Sequence, residues 1–215
     1  MSNQEAVSEL TTGRLSVYLR CLTYLESMHQ ETVSSAELAE RFHLNSAQIR
    51  KDLACFGDFG TRGVGYNVAR LKEQLVRTLG IDRTRNVLIV GAGNLGMALA
   101  DYRGFNENGF RIVALVDVDH DKAGRTSRSG IPVLGYGDLG SIVRQRGVDI
   151  GIVAVPTEAA QQVYDALVEA GVNAVLNFAP VQIRTRDRVK LKSVDLRINL
   201  ESLSFYLKGV EDGIV

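Results

Sequence analysis

The stretch Val87-Leu-Ile-Val-Gly-Ala-Gly-Asn-Leu-Gly96 lies near the middle of a chain of 215 residues. Its four leading apolar residues predict a buried strand, and the Gly-x-Gly-x-x-Gly pattern predicts a tight turn into a helix. In dinucleotide-binding domains the first glycine permits the turn, the second lets the backbone approach a pyrophosphate, and the third allows close packing of the helix. Asp117 follows the next predicted strand, where a carboxylate accepts from a ribose hydroxyl and repels a 2′-phosphate. The sequence therefore predicts an NAD(H) site that contains Gly91, Ala92, Gly93, Asn94, Leu95, Gly96 and Asp117.

Strands and helices alternate through the second half of the chain. Apolar runs predict strands at 87–90, 112–116, 150–155 and 174–176, with helices at 95–102, 138–146 and 157–170. Such alternation is typical of an α/β fold with a parallel sheet of the Rossmann type and helices on both faces.

A separate small domain precedes this sheet. Apolar spacing predicts a helix within 13–29, Ser34 and Glu37 form a capping box for a second helix, and Ser46 is expected to cap a third helix over 47–56. Glycines 57, 60, 63 and 65 then indicate a short hairpin, followed by a helix over 68–79 that ends before Gly80. This order predicts a winged helix-turn-helix, a DNA-binding architecture. The candidate DNA-binding residues are Ser46, Gln48, Arg50 and Lys51 on the third helix, and Arg62 and Tyr66 on the hairpin.

The formal net charge is zero, but the charges are unevenly distributed. Residues 1–40 hold two Arg and six Glu, a net −4, whereas residues 41–86 hold nine Lys or Arg and four Asp or Glu, a net +5. A local basic segment favours a phosphate backbone as partner, although a solvated charged face is the other interpretation.

With no membrane-length apolar run and no signal-peptide pattern, we expect a cytoplasmic protein without membrane contact. Cys21 and Cys55 lack metal-ligand spacing, so no metal site is expected.

Residues suited to catalysis are scarce in the second domain. A dehydrogenase needs a proton donor or acceptor near the nicotinamide. His29 and His43 belong to the first domain, His120 lies on the adenosine side, and only 129 residues follow Asn86. We therefore expect binding without chemistry and no catalytic residues. Two alternatives stay open: an NAD(P)-dependent oxidoreductase with a helical N-terminal domain, and a transcription factor that responds to another nucleotide such as coenzyme A.

Short motifs along nearly the whole chain resemble those of the Rex family of redox-sensing transcriptional repressors. The matching segments are Ile49-Arg-Lys-Asp-Leu53, Phe56-Gly57, Gly60-Thr-Arg-Gly-Val-Gly-Tyr66, residues 91–96, Ala98-Leu-Ala-Asp-Tyr102, Val116-Asp-Val-Asp119, Val155-Pro156 and Asn177-Phe-Ala-Pro180. The resemblance implies a homodimer whose winged helices bind palindromic operator DNA. It also implies that NADH, sensed against NAD⁺, releases the protein from that DNA.

The same resemblance implies roles for single residues. Tyr102 is expected near the nicotinamide, with Val155, Pro156, Phe178 and Pro180 as further cofactor-binding residues. Arg20 and Asp195 are expected to form an interdomain switch. The implied domains are a winged helix over 1–82, an NAD(H)-binding domain over 83–198 and a C-terminal helix over 199–215 that is exchanged between subunits.

Overall fold

The computed structural model describes residues 9–57, 59–61, 64–106 and 108–211. The chain divides into two compact units, Met1–Arg83 and Thr84–Val215. Within the described part of the chain, no helix combines the length and apolarity needed to cross a bilayer.

The first unit is a winged helix-turn-helix, as the sequence predicts. Its helices are α1 (Glu9–Ser27), α2 (Ser35–Phe42), α3 (Ser46–Ala54) and α4 (Val68–Thr78), and its strands are β1 (Thr32–Val33), β2 (Gly60–Thr61) and β3 (Gly65–Asn67). The strands form an antiparallel sheet in the order β1-β3-β2. Apolar residues from the four helices and β1 are buried together, among them Leu15, Leu22, Leu25, Val33, Leu38, Ile49, Leu53, Leu71 and Leu75.

The ends of these helices follow the predicted caps with one exception. Ser34 Oγ accepts from the Glu37 backbone N–H at 3.0 Å, and Gly80 follows α4 with φ of +66°. Asn45, however, caps α3 in place of Ser46, because its extended backbone lets Oδ1 accept from the Gln48 N–H at 3.0 Å. Ser46 is already the first helical residue. The same helix ends at Ala54, two residues before the predicted end at Phe56.

The second unit contains one parallel sheet, which confirms the predicted α/β architecture. The strands are β4 (Arg85–Val90), β5 (Phe110–Asp117), β6 (Val133–Gly135), β7 (Ile150–Val153), β8 (Ala174–Asn177) and β9 (Lys190–Ser193), in the order β6-β5-β4-β7-β8-β9. The helices are α5 (Asn94–Ala100), α6 (Arg103–Asn106), α7 (Leu139–Arg146), α8 (Thr157–Glu169) and α9 (Leu196–Glu211).

The two edge strands of this sheet, β6 and β9, were not predicted from the sequence. Strand β9 reads Lys-Leu-Lys-Ser with three exposed residues, and β6 has three residues only. Central parallel strands are covered on both faces and carry continuous apolar runs, whereas edge strands need not. The four strands predicted from apolar runs are the four central ones.

The order in which strands are added to the sheet reverses at β4: β5 and β6 are added on one side of it, and β7, β8 and β9 on the other. This strand pairs with β5 on one side and with β7 on the other. Ligands of open parallel sheets bind at the carboxyl ends of the strands where the order reverses. The segment Gly91–Gly96, here called the glycine-rich turn, follows β4 directly and lies at this position.

Helix α9 differs from the other helices of the second unit because its apolar side chains are exposed. Eight large apolar side chains on it are between 59% and 74% exposed: Leu196, Ile198, Leu200, Leu203, Phe205, Tyr206, Leu207 and Val210. Contiguous apolar surface of this kind marks an interaction site.

Candidate functional sites

Two glycines of the glycine-rich turn are required by the fold itself. Gly91 has φ of +107°, and a Cβ there would lie 2.3 Å from the Ala154 carbonyl oxygen. A Cβ on Gly96 would lie 1.8 Å from the Gly91 carbonyl oxygen. A side chain at position 91 would therefore push the turn away from the end of β7, and a side chain at position 96 would push α5 away from the turn.

Gly93 is different, because nothing in the described part of the chain requires a glycine there. Its backbone is extended, with φ of −81°, and apart from its own chain neighbours no atom of the described residues lies within 4 Å of a Cβ built on it. Gly93 is the N-cap residue of α5 and has no side chain to cap the helix, so Asn94 and Leu95 begin the helix at an open surface. Free backbone N–H groups at such a position suit an anionic ligand group.

Asp117, the last residue of β5, holds the glycine-rich turn in place. Its Oδ2 accepts from the Ala92 backbone N–H at 2.7 Å and from Lys122 Nζ at 3.1 Å, and its Oδ1 accepts from the Asp119 backbone N–H at 2.9 Å. Burial alone would raise the pKa of this carboxyl, but these hydrogen bonds outweigh burial and lower it. The carboxylate is therefore charged and only 8% exposed. This anchoring of the turn was not foreseen from the sequence.

The loops after β7 and β8 reach the same edge of the sheet. Val155 is half-buried, and Pro156 is the residue directly before the first helical residue of α8. Phe178 is half-buried and Pro180 is exposed. The fully buried Asn177 shapes their loop, because its Nδ2 donates to the Ala179 carbonyl oxygen and its Oδ1 accepts from the Ala179 N–H, both at 2.9 Å. The fold thus brings the loops with the predicted cofactor residues to the carboxyl edge of neighbouring strands.

Tyr102 follows α5 and lies at the surface rather than in the core. Its side chain is 58% exposed and meets Phe105 edge to face, with the ring centroids 5.0 Å apart. The ring also covers Gly104, where a Cβ would lie 2.6 Å from it. The two rings form an exposed aromatic pair next to the helix that starts at the glycine-rich turn.

The predicted DNA-binding residues lie on α3 and on the hairpin. Arg50 is exposed and its Nη1 donates to Ser35 Oγ at 3.0 Å; Lys51 is exposed as well. Tyr66 is half-buried, and burial raises the pKa of its hydroxyl. A cavity of about 480 Å³ lies between α3 and the hairpin and includes Ser35, Arg50, Thr61 and Tyr66 in its lining. Ser46 and Gln48 are half-buried, and Arg62 lies outside the described residues.

Asp52 on α3 was missed as a candidate, although it organises this surface. It is 3% exposed and accepts from Arg14 Nε at 2.6 Å, Arg14 Nη2 at 2.8 Å, Tyr18 Oη at 2.9 Å and Gln48 Nε2 at 2.8 Å. Burial would raise the pKa of Asp52, but the hydrogen bonds from Arg14, Gln48 and Tyr18 lower it overall. Burial, and then the hydrogen bond to Asp52, raise the pKa of Tyr18 to about 12. A charged residue within an amphipathic helix was the only available signal.

Arg20 and Asp195, the predicted switch residues, lie in different units. Arg20 is exposed on α1, where its Nε donates to the Ser16 carbonyl oxygen at 3.4 Å. Asp195 Oδ1 accepts from the Arg197 N–H at 2.9 Å, at the start of α9. Their pairing stays a prediction.

A winged helix and a parallel sheet with a dinucleotide-type turn at its switch point define, in one chain, a nucleotide-responsive regulator of transcription. Two family models match the chain: "CoA binding domain" over residues 82–181 and "Putative DNA-binding protein N-terminus" over residues 6–54. The redox-sensing transcriptional repressor Rex of Carboxydothermus hydrogenoformans is 49% identical over 205 residues, which cover 94% of this chain and 97% of that protein. The chain belongs to the Rex family of redox-sensing transcriptional repressors.

Solved structures agree with this membership. RSP, a Rex-family repressor, was solved in complex with β-NAD⁺ and operator DNA; it is 37% identical, with a TM-score of 0.91, covering 95% of this chain and 94% of RSP. RSP in complex with β-NADH has a TM-score of 0.84 at 36% identity, covering 95% of this chain and 96% of RSP.

Proposed function

We propose that this protein is a transcriptional repressor that binds operator DNA and is released by NADH, so that it senses the cellular ratio of NADH to NAD⁺. The observation that carries this proposal is the similarity of both units to redox-sensing repressors. One of these repressors, RSP, was solved in complex with NADH and also in complex with NAD⁺ and operator DNA. Since DNA is the partner, the cytoplasm is the proposed location.

The cofactor is proposed to lie along the carboxyl edge of the sheet. The open space at Gly93 supports contact with the pyrophosphate, and Ala92, Asn94 and Leu95 would line the same turn. Within the described residues, Asp117 Oδ1 accepts one hydrogen bond, from the Asp119 N–H, and a second acceptor site remains for a ribose hydroxyl. Tyr102, Val155, Pro156, Phe178 and Pro180 are proposed to surround the nicotinamide. NADH carries a neutral ring and NAD⁺ a cationic one, so apolar and aromatic surroundings favour NADH.

Binding without catalysis is part of the proposal. Of the residues proposed to surround the nicotinamide, Val155, Pro156, Phe178 and Pro180 have no dissociable proton. Tyr102 is the single member of this set with a hydroxyl, and the set contains no His, Lys or carboxylate to act with it as acid or base. The redox state of the cofactor is then read as shape and charge. A ligand shifts a conformational equilibrium only by its differential affinity, typically about 1–3 kcal/mol for allosteric coupling. By reciprocity, operator DNA weakens NADH binding by the same factor.

The DNA side of the proposal rests on α3 and the hairpin. Arg50 and Lys51 are exposed on α3, within the segment of net charge +5. We assign Gln48, Arg50 and Lys51 to the major groove, with Ser46 at the helix start, and Arg62 and Tyr66 to contacts from the hairpin.

A homodimer with an exchanged α9 is the proposed assembly. The eight exposed apolar side chains of this helix support burial against a second copy, because a water-exposed surface of that kind is unfavourable. Two copies would present two α3 helices to a palindromic operator. The proposed domains are 1–82 for DNA, 83–198 for NAD(H) and 199–215 for exchange, with Arg20 and Asp195 as the pair that differs between states.

Fluorescence anisotropy of a labelled duplex tests the proposal. The duplex is enriched from a randomised pool by the full-length protein and then titrated with NADH and NAD⁺ separately. Release by NADH at concentrations where NAD⁺ has little effect supports the redox-sensing repressor. DNA binding that neither cofactor changes, or release by coenzyme A alone, would favour a transcription factor that responds to another nucleotide, the alternative that the CoA-binding family model suggests. No enriched duplex and turnover of a substrate would favour an oxidoreductase.

A further inference from the structure

The buried carboxylate of Asp52 makes hydrogen bonds with both of its oxygens. Oδ2 accepts from Arg14 Nε and Tyr18 Oη, and Oδ1 accepts from Arg14 Nη2 and Gln48 Nε2. Each carboxylate oxygen offers about two acceptor sites, so these four bonds saturate the group. Three of the donors come from α1, and the fourth lies one turn away on α3 itself.

This arrangement determines which end of the Gln48 amide faces inward. An ionised carboxylate only accepts hydrogen bonds, and the lowered pKa of Asp52 means that it is ionised at neutral pH. Only the NH₂ group of Gln48 can therefore face Asp52, at 2.8 Å. The reverse orientation would place Gln48 Oε1 next to Asp52 Oδ1, so that two acceptors would repel each other with no proton between them.

Gln48 lies where a base-reading residue of this architecture is expected. It is in the first turn of α3, and Asn45 Oδ1 accepts from its backbone N–H at 3.0 Å. Its side chain is half-buried, and within the described residues no donor is paired with its Oε1. N-terminal residues of a recognition helix contact base edges in the major groove.

We propose that Gln48 is a specificity-determining residue, oriented by Asp52 so that its Oε1 accepts a hydrogen bond from an exocyclic amine in the major groove. This inference rests on the proposed binding of DNA. Only adenine N6 and cytosine N4 donate there, whereas guanine and thymine present acceptors at the corresponding position. Adenine also accepts at N7, and the second N–H of Gln48 remains for that contact.

The experiment is a methylation scan of the enriched duplex. N6-methyladenine or N4-methylcytosine replaces one base at a time; each modification removes the groove-side N–H and leaves one N–H for Watson–Crick pairing. At one position in each half-site, the full-length protein should lose about threefold to tenfold in affinity, as expected for one hydrogen bond. The modified base that causes the loss identifies adenine or cytosine.

Two variants separate base reading from general weakening. Gln48→Met keeps the length of the side chain without donor or acceptor, and it should bind modified and unmodified duplexes equally at that position. Lys51→Met, on the same face of the same helix, should lower affinity uniformly and keep the sensitivity to methylation. Loss of the sensitivity in Gln48→Met alone supports the inference. Equal sensitivity in Gln48→Met and the parent protein, or no sensitive position, overturns it.

The orientation is checked without any change at Asp52. The side-chain NH₂ signals of Gln48 are identified by their absence from the spectrum of Gln48→Met. One of the two protons should be shifted downfield by the bond to a carboxylate, and two unshifted, rapidly exchanging protons would overturn the orientation. If the full-length protein enriches no duplex from the pool, both the proposed function and this inference are wrong. If it enriches a duplex whose binding is insensitive to methylation, only this inference is wrong.

Discussion

Replacing Gly93 by alanine separates ligand binding from folding more cleanly than any other change in the glycine-rich turn. Among the residues that the structure describes, the added methyl group meets no atom within 4 Å beyond its chain neighbours, and φ of −81° with ψ of −173° is accessible to alanine. The free energy of unfolding should therefore change by no more than about 0.5 kcal/mol, as for surface substitutions in general.

The effect on NADH is expected to be large because the methyl group fills the space that a pyrophosphate needs. Backbone N–H groups hold phosphate oxygens at about 2.7–3.2 Å, and a carbon beside the amide prevents that approach. We expect NADH affinity to fall at least tenfold, or about 1.4 kcal/mol. Gly96→Ala is the contrast: its Cβ lies 1.8 Å from the Gly91 oxygen, so α5 must move and stability falls by about 1–3 kcal/mol.

Calorimetric titration with NADH, thermal unfolding and cofactor-free DNA binding are measured on both variants and the parent protein. Gly93→Ala should keep its thermal midpoint and its DNA affinity while losing NADH affinity. Unchanged NADH affinity would refute the placement of the pyrophosphate at Gly93. A thermal midpoint as low as that of Gly96→Ala would refute the conclusion that the fold leaves this position open.

Three further predictions concern the carboxylates and the last helix. Asp52→Asn should lower the thermal midpoint at pH 7. Because the pKa of Asp52 is lower in the folded than in the unfolded protein, the ionised carboxylate stabilises the fold above about pH 4, and the difference in thermal midpoint between the variant and the parent protein should shrink as the pH falls further. A difference that is independent of pH would contradict the ionised network. Asp117→Ala leaves the Ala92 and Asp119 N–H groups without their acceptor, so the second unit should lose about 1–3 kcal/mol and NADH affinity should fall, with cofactor-free DNA binding retained. If Asp119→Ala weakens NADH binding more, Asp119 contacts the ribose instead. Phe205→Glu should yield a monomer with unchanged helicity by light scattering and circular dichroism, while Phe205→Leu stays dimeric; a persisting Phe205→Glu dimer would exclude α9 as the contact.

The central strands and the glycine-rich turn could be predicted because their signals are local. Four buried strands carry continuous apolar runs, and the glycine spacing records a turn made by neighbouring residues. The edge strand Lys190–Ser193 alternates charged and apolar residues without a buried face, so periodicity did not reveal it. Asn45 and Ser46 are both good capping residues, and only the backbone angles decide between them.

The two anchoring carboxylates could not be predicted because their partners are distant in sequence. Asp52 bonds to Arg14 and Tyr18, which are 38 and 34 residues away, and Asp117 bonds to Ala92, 25 residues away. Such pairs depend on how elements pack, which spacing within one element does not encode. Asp117 was predicted to face a ligand, but its second role in holding the turn became visible only in the fold.

Under the proposed assembly, the exposed apolar side of α9 would also link the activity of the protein to its amount in a cell. On the proposed dimer, a lone copy carries eight large side chains in water, so association and full stability are one equilibrium that shifts with concentration. Dilution should then lower the thermal midpoint of the purified protein. In cells, a variant chain that cannot bind DNA, encoded by a second gene copy, would pair with the normal chain. Repression would then fall by more than the fraction of the total protein that the variant makes up.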